Sequence, residues 1–119
     1  MEEITSWGKK QIALMIGGSA VGSPVYLAIG SGVRFFMANM TGLTYEVDRN
    51  LMSSVDLSTA QEVLYTFDFS SMEMSGIPLS EFGQFTLSSG GKCWARANFN
   101  PITFDGNQEL QIQVLWRIV

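Results

Sequence analysis

The sequence predicts a mainly β protein: an antiparallel β-sandwich or small barrel of about six strands, preceded by an N-terminal helix. Three observations carry this. In the last run, Leu110, Ile112, Val114, Trp116 and Ile118 alternate with Gln111, Gln113 and Arg117, a period of two that buries one face of a strand and wets the other. Only Leu115 breaks the polar face. Val63, Tyr65, Phe67 and Phe69 alternate in the same way with Leu64, Thr66 and Asp68. Gly90-Gly91 separates the apolar-rich runs Leu79–Leu87 and Lys92–Phe99, and glycine reaches the positive φ that a tight connection needs. The end of the chain thus reads as three consecutive antiparallel strands, with Asn100-Pro101 as a turn before the last.

Residues 2–16 read as the helix. Ile4, Trp7, Gln11, Leu14 and Met15 fall near helical spacing with Ile12 beside them, Glu2 and Glu3 precede Lys9 and Lys10 as the helix dipole favours, and Gly17-Gly18 is a stop. Gly8 inside the segment works against it. Residues 1–18 are therefore assigned to an N-terminal helical arm and residues 19–119 to a β-sandwich domain. The arm packs on its own domain or docks on a neighbouring subunit, and the sequence leaves both open.

Ser19–Pro24 is a loop of small residues. Val25–Ile29 is a short strand ended by Gly30-Ser31-Gly32, which lacks the following Gly-Lys-Ser/Thr of a phosphate-binding loop and reads as a turn. Val33–Gly42 has no clean period. Its Phe35, Phe36, Met37 and Met40 form an apolar cluster, either packed on the core or offered as a contact surface. Leu43, Glu46 and Arg49 are three apart, so on a helical turn they share a face and Glu46 pairs with Arg49. Residues 52–57 and 62–70 are two more strands joined by Ser58–Gln61. Ser70–Pro78 is a connection.

The bulk composition narrows the function. A chain of 119 residues is one domain by size, and 46% hydrophobic residues suffice for a core. Charged residues are only 15%, below the usual quarter or so, while there are eight Phe, three Trp and seven Met. Apolar surface covered by another subunit fits that balance. The net charge of −4, with no Lys/Arg cluster, speaks against a nucleic-acid partner. Histidine is absent and Cys93 is the sole cysteine, which removes the commonest general base, an internal disulfide and a paired thiolate metal site. No cofactor or metal is implied. Met1-Glu2-Glu3 lacks the positive charge of a secretory signal and the apolar run Ile12–Ile16 is too short for a bilayer, so no membrane association is expected.

The order of features resembles a family. A strand ending Ala28-Ile29-Gly30-Ser31-Gly32 is followed by Leu43-x-x-Glu46-Val47-x-Arg49. Next come Ser80-Glu81-Phe82-Gly83-Gln84-Phe85 and Gly90-Gly91-Lys92-Cys93-Trp94-Ala95-Arg96-Ala97-Asn98-Phe99, and last the alternating strand with Trp116. From Val25 to Val119 this is similar to small tailed-bacteriophage virion proteins, including the anchoring domains of tail-collar and baseplate fibres. The resemblance implies a subunit of a ring or trimer on a phage tail, neck or baseplate. Such a subunit is made in the host cytoplasm, located in the virion, and attached to other tail or neck proteins. The Val33–Gly42 segment is more apolar than the family's loop, and residues 1–24 have no counterpart in it.

On this reading Glu46, Arg49, Glu81 and Arg96 are charges held inside or between subunits, with a Glu81–Arg49 bridge expected between the Leu43–Arg49 segment and the sheet. Gly83 marks a bulge or a close backbone approach. Trp7, Phe35, Phe36 and Met40 complete the interface candidates. Two other classes are open. Trp7, Trp94 and Trp116 are stacking platforms for a host glycan if they are exposed. Asp48, Asp56, Asp68, Glu73, Glu81 and Asp105 supply the carboxylates of a histidine-free glycosidase, although their spacing singles out no pair.

Overall fold

The protein is described by a computed structural model covering residues 3–32, 37–70, 76–105 and 107–118. Its elements are β1 (Glu3–Ile4), α1 (Ser6–Ile16), β2 (Tyr26–Gly30), β3 (Glu46–Leu51), β4 (Ser54–Asp56), β5 (Glu62–Phe69), β6 (Pro78–Phe85), β7 (Ala95–Thr103) and β8 (Leu110–Arg117). They form a β-sandwich of two antiparallel sheets, one of five strands in the order β1-β7-β6-β2-β3 and one of three in the order β4-β5-β8.

The alternation read in the sequence builds the space between the sheets. Tyr65, Phe67, Phe69 and Val114 come from the small sheet and meet Leu27, Ile29 and Leu79 from the large one. β5 and β8 pair without interruption from Glu62↔Arg117 to Phe69↔Leu110, so both apolar stripes fall on one face. The large sheet differs, because it is buried on both sides. Ala28 and Phe85 point away from the main core and form a second cluster with Cys93, against which Tyr26 and Leu43 pack. That is why Leu27, Ala28, Ile29 and Gly30 are all buried in succession and β2 shows no alternation.

Several expectations are corrected. The helix begins at Ser6 rather than residue 2, because Glu3 and Ile4 pair with Arg96 and Ala95 as a strand and Thr5 is the N-cap. The Thr5 hydroxyl accepts the Gly8 N–H at 3.0 Å. With the start displaced, Lys9 and Lys10 fall early in α1, whose last turn carries no basic residue. Gly17-Gly18 does end it, the Gly17 N–H donating to the Ala13 carbonyl. Glu46–Leu51 is a strand, not a helical turn. β2 pairs Ile29 with Asp48 and Gly30 with Glu46, so Val47 is an extra residue in a bulge. Asn100-Pro101 is no turn either. β7 runs on to Thr103, and the register passes from Glu81↔Asn98 to Leu79↔Ile102, placing Phe99, Asn100 and Pro101 opposite Ser80 alone. The last three strands are not one meander: β6 and β7 pair, but β8 crosses to the small sheet. With β1 and β3 added to the six expected strands, the total is eight among the described residues.

Gly8 has a packing reason. A Cβ there would run into the Trp94 carbonyl oxygen, so the helix backbone lies directly on the start of β7. The Thr5 N–H also donates to the Trp94 carbonyl, at 2.9 Å. Gly8→Ala therefore opposes helix propensity, which favours alanine by about 1 kcal/mol. We expect the variant to be destabilised by roughly 1–3 kcal/mol through overpacking, seen as a lower urea midpoint at unchanged slope. A gain in stability would show that α1 does not rest on Trp94.

Candidate functional site

The polar side chains singled out in the sequence gather on the outer face of the five-stranded sheet. Register sets them in two rows. Arg49, Ala28, Gly83 and Arg96 are successive cross-strand neighbours, and Glu46, Gly30, Glu81 and Asn98 form the adjacent row. The small residues Ala28, Gly30 and Gly83 leave the room that the long side chains occupy. A Cβ on Gly83 would stand 3.1 Å from both the Leu43 side chain and the Ala95 carbonyl, so the close approach expected there is present.

Glu81 and Arg96 are both fully buried and bond at 2.8 Å. The carboxylate is wrapped in donors: Gly32 and Tyr45 N–H groups on Oε2, each at 2.8 Å, and the Thr44 N–H on Oε1 at 2.9 Å. Arg96 donates through Nη1 to the Gly42 carbonyl at 3.2 Å and the Met40 sulfur at 3.1 Å, and through Nη2 to Asn98 Oδ1 at 3.2 Å. The pair thus holds residues on both sides of the 33–36 segment. Gly30-Ser31-Gly32 acquires a meaning here: a Cβ on Gly32 would overlap Thr44 and the Glu81 carboxylate, and one on Gly30 would overlap the Tyr45 carbonyl. The motif cradles the protein's own carboxylate rather than a phosphate.

The expected Glu81–Arg49 bridge is not formed. Arg49 stands on β3, separated from β6 by β2, or two strand spacings of about 4.8 Å each, whereas Arg96 is on the strand next to Glu81. Arg49 pairs instead with Glu46 at 2.6 Å, the partner expected of it, because the bulge brings the two together without a helix. Its guanidinium lies 3.6 Å from the Phe85 ring centre and donates to the Leu87 and Gly90 carbonyls, holding the Gly90-Gly91 connection. Both glycines have positive φ there, 66° and 74°.

Of the other candidates, Trp7 is half-buried, with Lys92 Nζ 4.8 Å and Lys10 Nζ 5.7 Å from its ring. Met40 turns toward Arg96. Phe35 and Phe36 lie outside the described residues, as does Glu73. Trp94 is only 5% exposed and meets Trp116 edge-on, while Trp116 is half-buried and its Nε1 donates to Gln84 Oε1 at 2.8 Å. Asp56 and Asp68 are held below the ordinary carboxylate value by hydrogen bonds, from Ser58 in the first and from Ser53 and Gln111 in the second. That direction is opposite to the one a general acid requires. Among the described residues no group of three or more His, Cys, Asp or Glu could hold a metal, and no helix is long and apolar enough to cross a membrane.

Sequence reasoning did not anticipate an apolar groove of about 400 Å³ at one end of the sandwich. Ile12 and Met15 of α1, Val55 and Leu57 of the small sheet's edge, and Trp116 and Ile118 line it. Its rim is exposed: Met15 by 53%, Leu57 by 68% and Ile118 by 69%, with Ile16 beside it at 80%. The run Leu14-Met15-Ile16 at the end of a helix whose inner face is already Gly8 and Gln11 was the available signal. No protein-family model, curated protein or solved structure matches the chain.

Two outcomes test these polar contacts. Glu81→Gln leaves Arg96 charged and buried, so it is expected to cost about 3–5 kcal/mol in chemical denaturation, and Glu81→Gln/Arg96→Met is expected to lose clearly less than the sum of the two single variants. A double-variant loss equal to that sum would deny the pairing. For Asp68, the folded pKa is depressed below the unfolded value near 3.8, so its hydrogen bonds stabilise above that value and are lost as pH falls through the folded pKa. Gln111→Leu is expected to move the Asp68 carboxyl midpoint upward in a carbon-detected NMR titration.

Proposed function

We propose that this chain is a structural subunit of a tailed-bacteriophage virion, an adaptor or decoration unit of the tail, neck/collar or baseplate that works through protein–protein contacts. The observation that carries the reading is the apolar groove with its exposed rim. Contiguous apolar surface of this kind marks a contact site in a soluble protein. Glu81 is engaged by backbone amides and Arg96, and Arg49 by Glu46 and the Gly90-Gly91 connection, so these charges are directed inward. The order of motifs from Val25 to Val119 supplies the virion assignment, and the Glu81 cradle gives that order a physical basis, since Gly30-Ser31-Gly32, Leu43–Tyr45, Glu81 and Arg96 meet in one place. On this reading the protein acts without turnover and is found in the particle.

Mass spectrometry of purified particles should detect the chain at a fixed copy number. Leu57→Lys or Ile16→Lys, at exposed rim positions, should fold with unchanged circular dichroism yet fail to incorporate. Incorporation at the wild-type level in both variants would remove the groove from the assembly role, and absence of the chain from particles would remove the role itself.

A further inference from the structure

The geometry points to a two-fold dimer formed by β8 of one copy pairing antiparallel with β8 of another, in register about Gln113. β8 is an edge strand, eight residues long, with a ladder to β5 free of bulges. Ile118 donates its N–H to the Gln61 carbonyl, so the even-numbered residues bond inward to β5. The N–H and C=O groups of Gln111, Gln113, Leu115 and Arg117 therefore point outward, with no described element pairing with them. Exposed edges are usually blunted by proline, lysine, bulges or shortness. The other edges of this sandwich are: β3 has its bulge at Val47 with Glu46, Asp48 and Arg49, β4 has three residues, and β7 has β1, Pro101 and its own bulge. Of these devices β8 has only a charge, Arg117 at its last residue.

The side chains of the edge are self-complementary. A two-fold axis at Gln113 sets Gln113 against itself, Leu115 against Gln111 of the second copy, and Arg117 against its Glu109. Gln111, Gln113, Leu115 and Arg117 carry outward-pointing backbone groups and Glu109 lies one residue before β8, so the hydrogen-bonding phase and the charge match agree at one register. A shift by two residues in either direction loses the opposition of Arg117 to Glu109. Arg117 bonds Glu62 through Nε and its side chain is 58% exposed, which leaves the Nη groups to reach a second carboxylate. The pairing also covers Leu115, the single apolar residue on the wet face of β8, 46% exposed in the isolated chain. Such a contact is isologous and closes at two copies, leaving the groove for a different partner. The inference does not rest on the virion proposal.

Cysteine placement tests the register. Residues facing each other in a hydrogen-bonded pair have Cα atoms about 5.5 Å apart, within disulfide range. Gln113→Cys should form an inter-chain disulfide under mild oxidation. Gln111→Cys, about 14 Å from its own copy in this register, should cross-link at least tenfold more slowly. The native Cys93 is fully buried and does not interfere. Glu109→Lys should raise the dimer dissociation constant about tenfold in sedimentation equilibrium, by turning two attractions into repulsions. Equal cross-linking of the two cysteine variants, an unchanged dissociation constant in Glu109→Lys, or a monomer at millimolar concentration would each overturn the pairing. Detection of the chain in particles is read separately, so either idea can fail alone.

Discussion

A carboxylate and a guanidinium, both out of reach of water, hold the outer face of the large sheet together. Burying two charges costs several kcal/mol per ion unless the surroundings replace the lost hydration. Here the replacement is specific. Glu81 receives three backbone N–H groups and Arg96, and Arg96 reaches a carbonyl, a thioether and an amide. Arg96 Nε is left without a partner among the described residues, so the replacement is incomplete. Every donor to Glu81 other than Arg96 comes from the chain between β2 and β3. The pair therefore acts less as glue between strands than as the fixed point onto which a long connection is folded. Gly30 on the neighbouring strand keeps the space the ion pair needs, since a Cβ there would meet the Glu81 side chain, whereas a Cβ on Gly83 would crowd the Leu43 side chain and the Ala95 carbonyl.

This explains why part of the fold could be read from sequence and part could not. β5 and β8 are half-wet strands, and their period of two survives intact because only one face is buried. β2 is covered on both sides, so its alternation vanishes and only its length and the following glycines mark it. Glu46 and Arg49 were correctly matched but placed on the wrong element, since a bulge in a strand brings residues three apart to one face much as a helical turn does. The partner of Glu81 depended on strand order. Two arginines stand in the same row, and nothing local to either says which is one strand away and which is two. Asn100-Pro101 misled because proline removes a donor. Here it falls in the register shift opposite Ser80, where the ladder is already interrupted, so the strand continues past it.

The helix shows the same dependence on tertiary context. Judged by propensity, Gly8 weakens α1, yet the position is where helix and sheet come closest. Thr5 caps the helix and also bonds the carbonyls of Cys93 and Trp94 with its hydroxyl, so one buried side chain both starts α1 and fixes it to β7. With Gly8 and Gln11 turned inward, Leu14, Met15 and Ile16 are left exposed, and Met15 lines the groove rather than the core.

Low charge and exposed apolar residues are then two sides of one allocation. The chain has only 18 Lys, Arg, Asp and Glu residues by its counts of 7 and 11, and Glu81, Arg96 and most of the Arg49 side chain are withdrawn from the surface. A monomer would gain solubility from putting those charges outside and an apolar network inside, since well-packed apolar replacements of buried ion pairs are often neutral or stabilising. Placing them within a sheet face, while leaving Ile16, Leu57 and Ile118 in solvent, makes physical sense where the wet surface of the isolated chain is not its final surface. The internal charges fix the geometry of one connection, and under the proposed assembly role the external apolar groups are the surface that a partner covers.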